Sequence, residues 1–288
     1  MGMGTIGAPE WFRLAMETPV DVGQVRVDGV DISFRAWGQA SAPTVLLIHG
    51  VAANANWWDH IGPLLCESRR VIALSLSGHG DSGHRRSYSY ETWADEVRAV
   101  LHEFAAPRPV IIAHSMGGRV AYQVAAHTDS LGGVAFLDSG FAKPPSSGSR
   151  SGFAEIAATN NRIYRDQDSA VAAFQPIGTF DRIAPYLARH VGLRSVRRVE
   201  RGWTWKFDPS IFSALARPHD ASKPISCPAA LIRAGRNSVL SDEAFRATQE
   251  LLGPDAVYEV LASSGHHVMF DAPRELAAQL QALLHKWS

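Results

Sequence analysis

Cysteine is scarce in this chain. Cys66 and Cys227 are the only two among 288 residues. They stand far apart in apolar surroundings, which reads as two reduced, buried thiols and not as a disulfide framework. Two cysteines alone cannot build a zinc site. An excess of charge is also missing: 28 basic residues face 28 acidic ones, a formal net charge of zero. Nothing in that balance draws the chain toward nucleic acid or an anionic membrane. No apolar run is long enough to span a bilayer. The first residues show no basic stretch leading into an apolar core. Gly2 follows Met1, but Ile6 stands where myristoylation needs Ser or Thr. No internal repeat is present. The expectation from these absences is a soluble cytoplasmic protein, with no nucleic acid and no membrane as partner.

The residues that are present make ordinary globular material, 46% hydrophobic and 19% charged. The length suits one large α/β domain. Residues 1–22 read as a loose leader with at most a helical turn around Trp11–Met16. Gln24–Val27 and Asp31–Ala36 are short β patterns joined by the turn pair Asp28-Gly29. Apolar strands then alternate with helices. Thr44–Ile48, Val71–Leu74, Val110–Ala113, Gly133–Leu137, Ala229–Arg233 and Val257–Leu261 read as strands. Trp57–Leu65, Tyr90–Phe104, Gly117–Ala126, Asp242–Leu252 and Pro273–Trp287 read as helices. That rhythm predicts an α/β fold, a mostly parallel eight-stranded sheet with helices on both faces.

The rhythm breaks between Phe141 and Lys223. The stretch opens with a Pro/Ser/Gly-rich segment, Lys143–Ser151. It continues as helical pieces rich in arginine, with no clear strand. An insertion between two strands at the C-terminal edge of a parallel sheet lies where such sheets bind ligands. The expected division is therefore a core in two parts, 1–140 and 224–288, with a helical cap at 141–223.

The strongest local signal is Val110-Ile111-Ile112-Ala113-His114-Ser115-Met116-Gly117-Gly118. A serine between a strand and a helix needs a very sharp turn, and small residues two positions to either side prevent clashes. Ala113 and Gly117 fill those places. The turn lifts the hydroxyl out of the sheet at a helix N-terminus, where backbone N–H groups favour developing negative charge. Two further turns come after strands in the same way: His49-Gly50-Val51, and Ser263-Ser264-Gly265-His266-His267. A general base must reach the nucleophile from a loop at the same sheet edge.

The His-Gly turn, the segment Ser77-Gly78-His79-Gly80-Asp81-Ser82 and the His-Ser-Met-Gly-Gly elbow occur in one order. On these motifs the sequence resembles the α/β-hydrolase superfamily over nearly its whole length. The resemblance implies Ser115 as nucleophile and His266, directly after Gly265, as general base. It implies an oxyanion hole made by the backbone N–H groups of Val51 and Met116. His49, His79 and His114 read as structural histidines, and His267 as a residue that shapes the pocket or ties down its loop. No cofactor and no metal are implied.

The orienting acid departs from the family's commonest layout. The expected Gly-x-x-Asp is here Gly235-Arg236-Asn237-Ser238, and a serine cannot compensate an imidazolium. Two carboxylates remain. Asp242 opens the following helix behind Ser241, where acids are ordinary dipole chemistry. Asp138 ends the strand Gly133–Leu137, at the rim of the same sheet. Asp138 is preferred. In that layout the chain resembles 2-(acetamidomethylene)succinate hydrolase, and zearalenone lactonase with Glu in that place. A serine nucleophile argues against dehalogenase and epoxide hydrolase chemistry, which in this superfamily uses Asp.

The expected reaction is hydrolysis of a small carboxylic ester or lactone through an acyl-enzyme. Two alternatives stay open: an amide or C–C hydrolase whose arginines (Arg162, Arg165, Arg201) hold a substrate carboxylate, and a low-turnover binding protein on the same fold. Trp57, with Trp203 and Trp205 in the alternating Gly202-Trp203-Thr204-Trp205-Lys206-Phe207, could line an apolar pocket. Packing of the insertion onto the core would use the same rings.

Overall fold

The structure, a computed structural model, describes residues 7–141, 162–176, 178–179, 182–215 and 221–287. Its centre is an eight-stranded sheet. The strands are β1 (Asp21–Val27), β2 (Val30–Trp37), β3 (Thr44–Ile48), β4 (Arg70–Leu74), β5 (Val110–His114) and β6 (Gly133–Leu137). A two-stranded hairpin comes next, β7 (Val196–Val199) and β8 (Gly202–Trp205), and then β9 (Ala229–Ala234) and β10 (Val257–Leu261). The sheet order is β1-β2-β4-β3-β5-β6-β9-β10. The first two strands pair antiparallel, β2 pairs antiparallel with β4, and the other pairs are parallel.

Every residue of β3, β4, β5 and β6 is buried. Continuous apolar strands are what a sheet covered on both faces requires. Successive side chains point to opposite faces, so one run feeds two cores. Leu46, Ile48, Ile111, Ala113 and Phe136 pack toward the helices Tyr90–Glu103 and Met116–Ala125. Val45, Leu47, Val110, Ile112 and Leu137 pack with Trp57, Trp58 and the helix Pro273–Lys286. Each such side chain contributes roughly 1.5–3 kcal/mol by leaving water.

Four expectations change. Residues before β1 form a two-turn helix, Glu10–Glu17, anchored by Phe12, whose ring lies edge-on to Tyr186 at 4.8 Å. The stretch Trp57–Leu65 is not one helix: a 3₁₀ turn, Ala55–Trp58, precedes a short helix, Gly62–Leu65. Pro63 cannot continue a helix from its N-terminal side but starts a new one readily. Cys66 and Cys227 are free, as expected, but half-buried and not fully buried.

The fourth change concerns the insertion. Its described part holds the helices Gln167–Ala172 and Pro185–Ser195 but also the antiparallel hairpin β7–β8. The period-two aromatics Trp203, Trp205 and Phe207 mark a strand and its extension. Gly202 has φ 143°, and a Cβ there would fall 2.1 Å from the Tyr164 carbonyl oxygen. Tyr164 and Trp203 exchange both backbone hydrogen bonds across that contact. The segment Lys143–Ser151 lies outside the described residues. The end of the hairpin is stitched to the loop after β4: Gly80 N–H donates to the Lys206 carbonyl, Asp208 N–H to the Gly78 carbonyl, and Lys206 pairs with Asp81 at 2.6 Å.

Candidate active site

Ser115 joins β5 to the helix Met116–Ala125 with φ 53° and ψ −121°. Left-handed backbone is costly for a residue with a side chain. The surroundings hold it there. Its N–H donates to the Leu137 carbonyl at 3.0 Å, and its carbonyl accepts from the Ser139 hydroxyl at 2.6 Å. A Cβ on Gly117 would sit 2.5 Å from the His49 carbonyl oxygen. The turn therefore demands glycine at that place for want of space. Gly50 faces the other side of the turn, where a Cβ would lie 3.2 Å from the Ser115 Cβ. The backbone leading into Val51 thus runs against the serine. Met116 is the first residue of its helix, and such N–H groups lack an intrahelical partner.

His266 sits in the loop after β10, between Ser115 and Asp138. Its Nδ1 donates to Asp138 Oδ2 at 2.7 Å, and its Nε2 accepts from the Ser115 hydroxyl at 3.0 Å. The donor assignment follows from chemistry, because a carboxylate can only accept. The loop is fastened at several points. Gly265 N–H donates to the Asp271 carboxylate at 2.9 Å, Arg236 N–H to the Ser264 carbonyl, and His114 Nε2 to the His266 carbonyl at 2.8 Å.

Asp138 is fully buried at the end of β6, with φ 44°. Besides His266 it accepts from the Ser238 hydroxyl, Ala234 N–H at 3.0 Å and Val239 N–H at 3.3 Å. Burial alone would raise its carboxyl; the hydrogen bond and charge of His266, with the bonds from Ser238 and Ala234, hold it below the ordinary value. Sequence reasoning found only a missing acid at Ser238. The structure gives that serine a role as a donor to the carboxylate. The signal was the polar, short side chain at a rim position facing the neighbouring strand end. Asp242 is elsewhere: it is largely exposed, pairs with Arg233 at 2.7 Å, and follows Ser241, which caps the helix by accepting from Ala244 N–H.

The structural histidines are buried and tied to backbone. His49 donates from Nδ1 to the Gly50 carbonyl and accepts at Nε2 from Leu76 N–H. Burial lowers it to about 4 against that one favourable bond, and it lowers His60, bonded to the Met269 carbonyl, to about 4 as well. His79 and His114 lie well below the ordinary value, first through burial and then through neighbouring histidines. His267 stands beside Trp57 and Phe270. One ring nitrogen from each of His114, His266 and His267 lies within 4.8 Å of the others.

A narrow cleft bordered by Val51 and Ala52 is walled by Trp57, Phe174, Trp205 and Phe207, with Gln175 and Ser195 as polar groups. Trp57 and Trp205 are thus brought to the cleft. Trp203 is not: it packs with Tyr164, Val171 and Leu193 in a small separate cluster. Arg165 is almost fully exposed and pairs with Asp166, and Arg162 and Arg201 are exposed.

Residues 45–279 match the model of the alpha/beta hydrolase family. The chain belongs to that family and is a hydrolase. It is 28% identical over 278 residues to Esterase Rv0045c of Mycobacterium tuberculosis, an alignment covering 90% of this chain and 88% of the esterase. Among solved structures, E-2-(acetamidomethylene)succinate hydrolase superposes with a TM-score of 0.82 at 18% identity, covering 93% of this chain and 100% of that one. The thioesterase domain from the curacin biosynthetic pathway gives 0.75 at 20% identity, covering 93% and 99%. No helix among the described residues is long and apolar enough to cross a membrane.

Proposed function

We propose that the protein hydrolyses a small carboxylic ester or lactone through an acyl-enzyme on Ser115. The observation that carries this reading is the unbroken hydrogen-bonded chain from Ser115 Oγ through His266 to Asp138. Ser115 Oγ attacks the carbonyl carbon while His266 Nε2 takes its proton. Asp138 holds the imidazole in the tautomer that leaves Nε2 unprotonated and stabilises the cation once formed. The tetrahedral oxyanion is received by the N–H groups of Met116 and Val51, each contributing about 3 kcal/mol at the transition state. His266 returns the proton to the leaving oxygen. Water then attacks the acyl-enzyme with His266 again as base.

In this reading the segment 141–223 is a cap over the site, and the aromatic cleft with Trp57 and Trp205 takes the apolar part of the substrate. The esterase and thioesterase relatives are in keeping with ester-type bonds. The described residues lining the cleft include no arginine or lysine, which weighs against a carboxylate clamp and hence against the amide or C–C alternative.

A fluorophosphonate probe and a panel of p-nitrophenyl esters test the proposal. The expected result is a single labelled residue, Ser115, with turnover of short acyl chains that disappears in Ser115→Ala. Failure of Ser115 to label, or full turnover in that variant, overturns it.

A further inference from the structure

We propose that Asp59 and His190 are positioning residues for the substrate: their contact clasps the helix Pro185–Ser195 of the insertion to the turn that carries Trp57, and so sets the width of the cleft. This role depends on the reading of that cleft as the place of the substrate. Asp59 follows the 3₁₀ turn Ala55–Trp58 and is 3% exposed. Its Oδ1 accepts from Arg35 Nε of β2 at 2.6 Å. Its Oδ2 accepts from His190 Nε2 at 2.9 Å and from Asn56 Nδ2 at 3.2 Å. Arg194 Nε stands 3.5 Å from the same oxygen. His190 and Arg194 are four residues apart, hence on one face of their helix. Burial alone would raise the Asp59 carboxyl, but the bond from His190 and the charge of Arg35 hold it below its ordinary value.

A second contact lies at the other end of the turn. Asn54 caps it, with Oδ1 accepting from Asn56 N–H at 3.0 Å. That bond fixes which end of the amide is nitrogen, and Nδ2 donates to the Ser195 hydroxyl at 3.0 Å. Ser195 is the last residue of the same helix. Asn54 and Asp59 thus hold one helix from both ends of the turn between them. The cleft has the same two sides. Val51, Ala52 and Trp57 come from the core, and Phe174, Ser195 and Trp205 from the insertion. A buried ion pair adds little net stability over apolar packing of similar volume. What this one supplies is a fixed spacing between the two walls, so that a bulky apolar group meets aromatic rings on both sides.

The His190 ring also lies edge-on to Phe12 at 5.7 Å, so the bond and the bulk of the ring are tested apart. His190→Leu keeps apolar volume and removes the donor, whereas His190→Gln keeps a donor. Asp59 retains Arg35 and Asn56 in both, so no buried charge is left alone. Two substrates are compared: p-nitrophenyl hexanoate, and ethyl acetate, which is too small to fill the cleft whichever end enters it. In His190→Leu the KM for the hexanoate should rise at least about tenfold with a much smaller change in kcat, the mark of lost uniform binding. The preference for hexanoate over acetate should fall by the same factor, and His190→Gln should recover most of it. Calorimetry of the hexanoate on Ser115→Ala needs no turnover, and its affinity should weaken by a like factor when His190→Leu is added. That weakening supports the clasp even where the wild type turns no ester over, an outcome that would strike the hydrolase reading alone. An equal loss on both esters, a loss confined to kcat, or His190→Gln behaving as His190→Leu overturns the proposal. So does an absence of binding to Ser115→Ala, or equal affinity with and without His190→Leu. Where His190→Leu fails to fold, Ser195→Ala, which removes the acceptor of Asn54 Nδ2, is measured in its place with the same expectations.

Discussion

Asp138 accepts hydrogen bonds from an imidazole, a hydroxyl and two backbone amides. Satisfying so many acceptor sites keeps a fully buried carboxylate ionised, which a serine-histidine pair requires of its third member. Asp242 has no such surroundings and faces Arg233 at the surface. Asp138→Asn is therefore expected to lower kcat by roughly 10⁴ with little change in KM, the size of effect an orienting acid has in serine hydrolases. Asp242→Asn should stay within about twofold of wild type, as is usual for exposed ion pairs. Steady-state kinetics on the two variants separates them, and the opposite ranking would return the acid to the later strand.

At the scale of elements, the core strands were legible because burial on both faces leaves unbroken apolar runs in β3 to β6. The turns after them were legible because Ser115, Gly117, Gly50 and Gly265 stand at fixed offsets from strand ends. Asp138 was preferred once Ser238 was found at the usual acid position, because it ends a strand on the same rim of the sheet while Asp242 opens a helix. The bond between Asp138 and Ser238 joins neighbouring strands 100 residues apart, and no local pattern encodes it. The hairpin β7–β8 was missed because Arg197 and Arg198 break the apolar signal in β7, while the alternation in β8 was read as pocket lining. Packing was the other use open to those rings, and Trp203 lies with Tyr164 and Val171 in a small apolar cluster.

The strand carrying the His266 loop also differs from the strand carrying Ser115. β5 is central and buried throughout; β10 is at the sheet edge, with Val260 55% exposed. Edge elements open at lower free energy than the core. Amide exchange should find Val257–Leu261 opening well below the free energy of Val110–His114, and ester turnover should fade at lower urea than the global transition. Equal protection of the two strands would refute this.

For the whole molecule, acidity is the sharpest stress. His49 and His60 titrate near 4 in the fold and near 6.5 once unfolded. His79 and His114 are also held well below the ordinary value, first by burial. A group whose folded value is depressed lends stability above its unfolded value and loses it as pH falls toward the folded one. Each such histidine removes about 1.4 kcal/mol per pH unit over that window. Even His49 and His60 alone draw on the roughly 5–15 kcal/mol that holds a domain folded. Urea midpoints should be flat from pH 8 to 7 and fall steeply between about 6.5 and 4, before the buried Asp138 carboxylate takes up its proton. A midpoint level down to pH 5 would contradict the neutral, buried state of these rings. A catalyst built on such a scaffold carries its own acid limit. Moved from neutral into mildly acidic surroundings, its frame would give way as these buried rings take up protons.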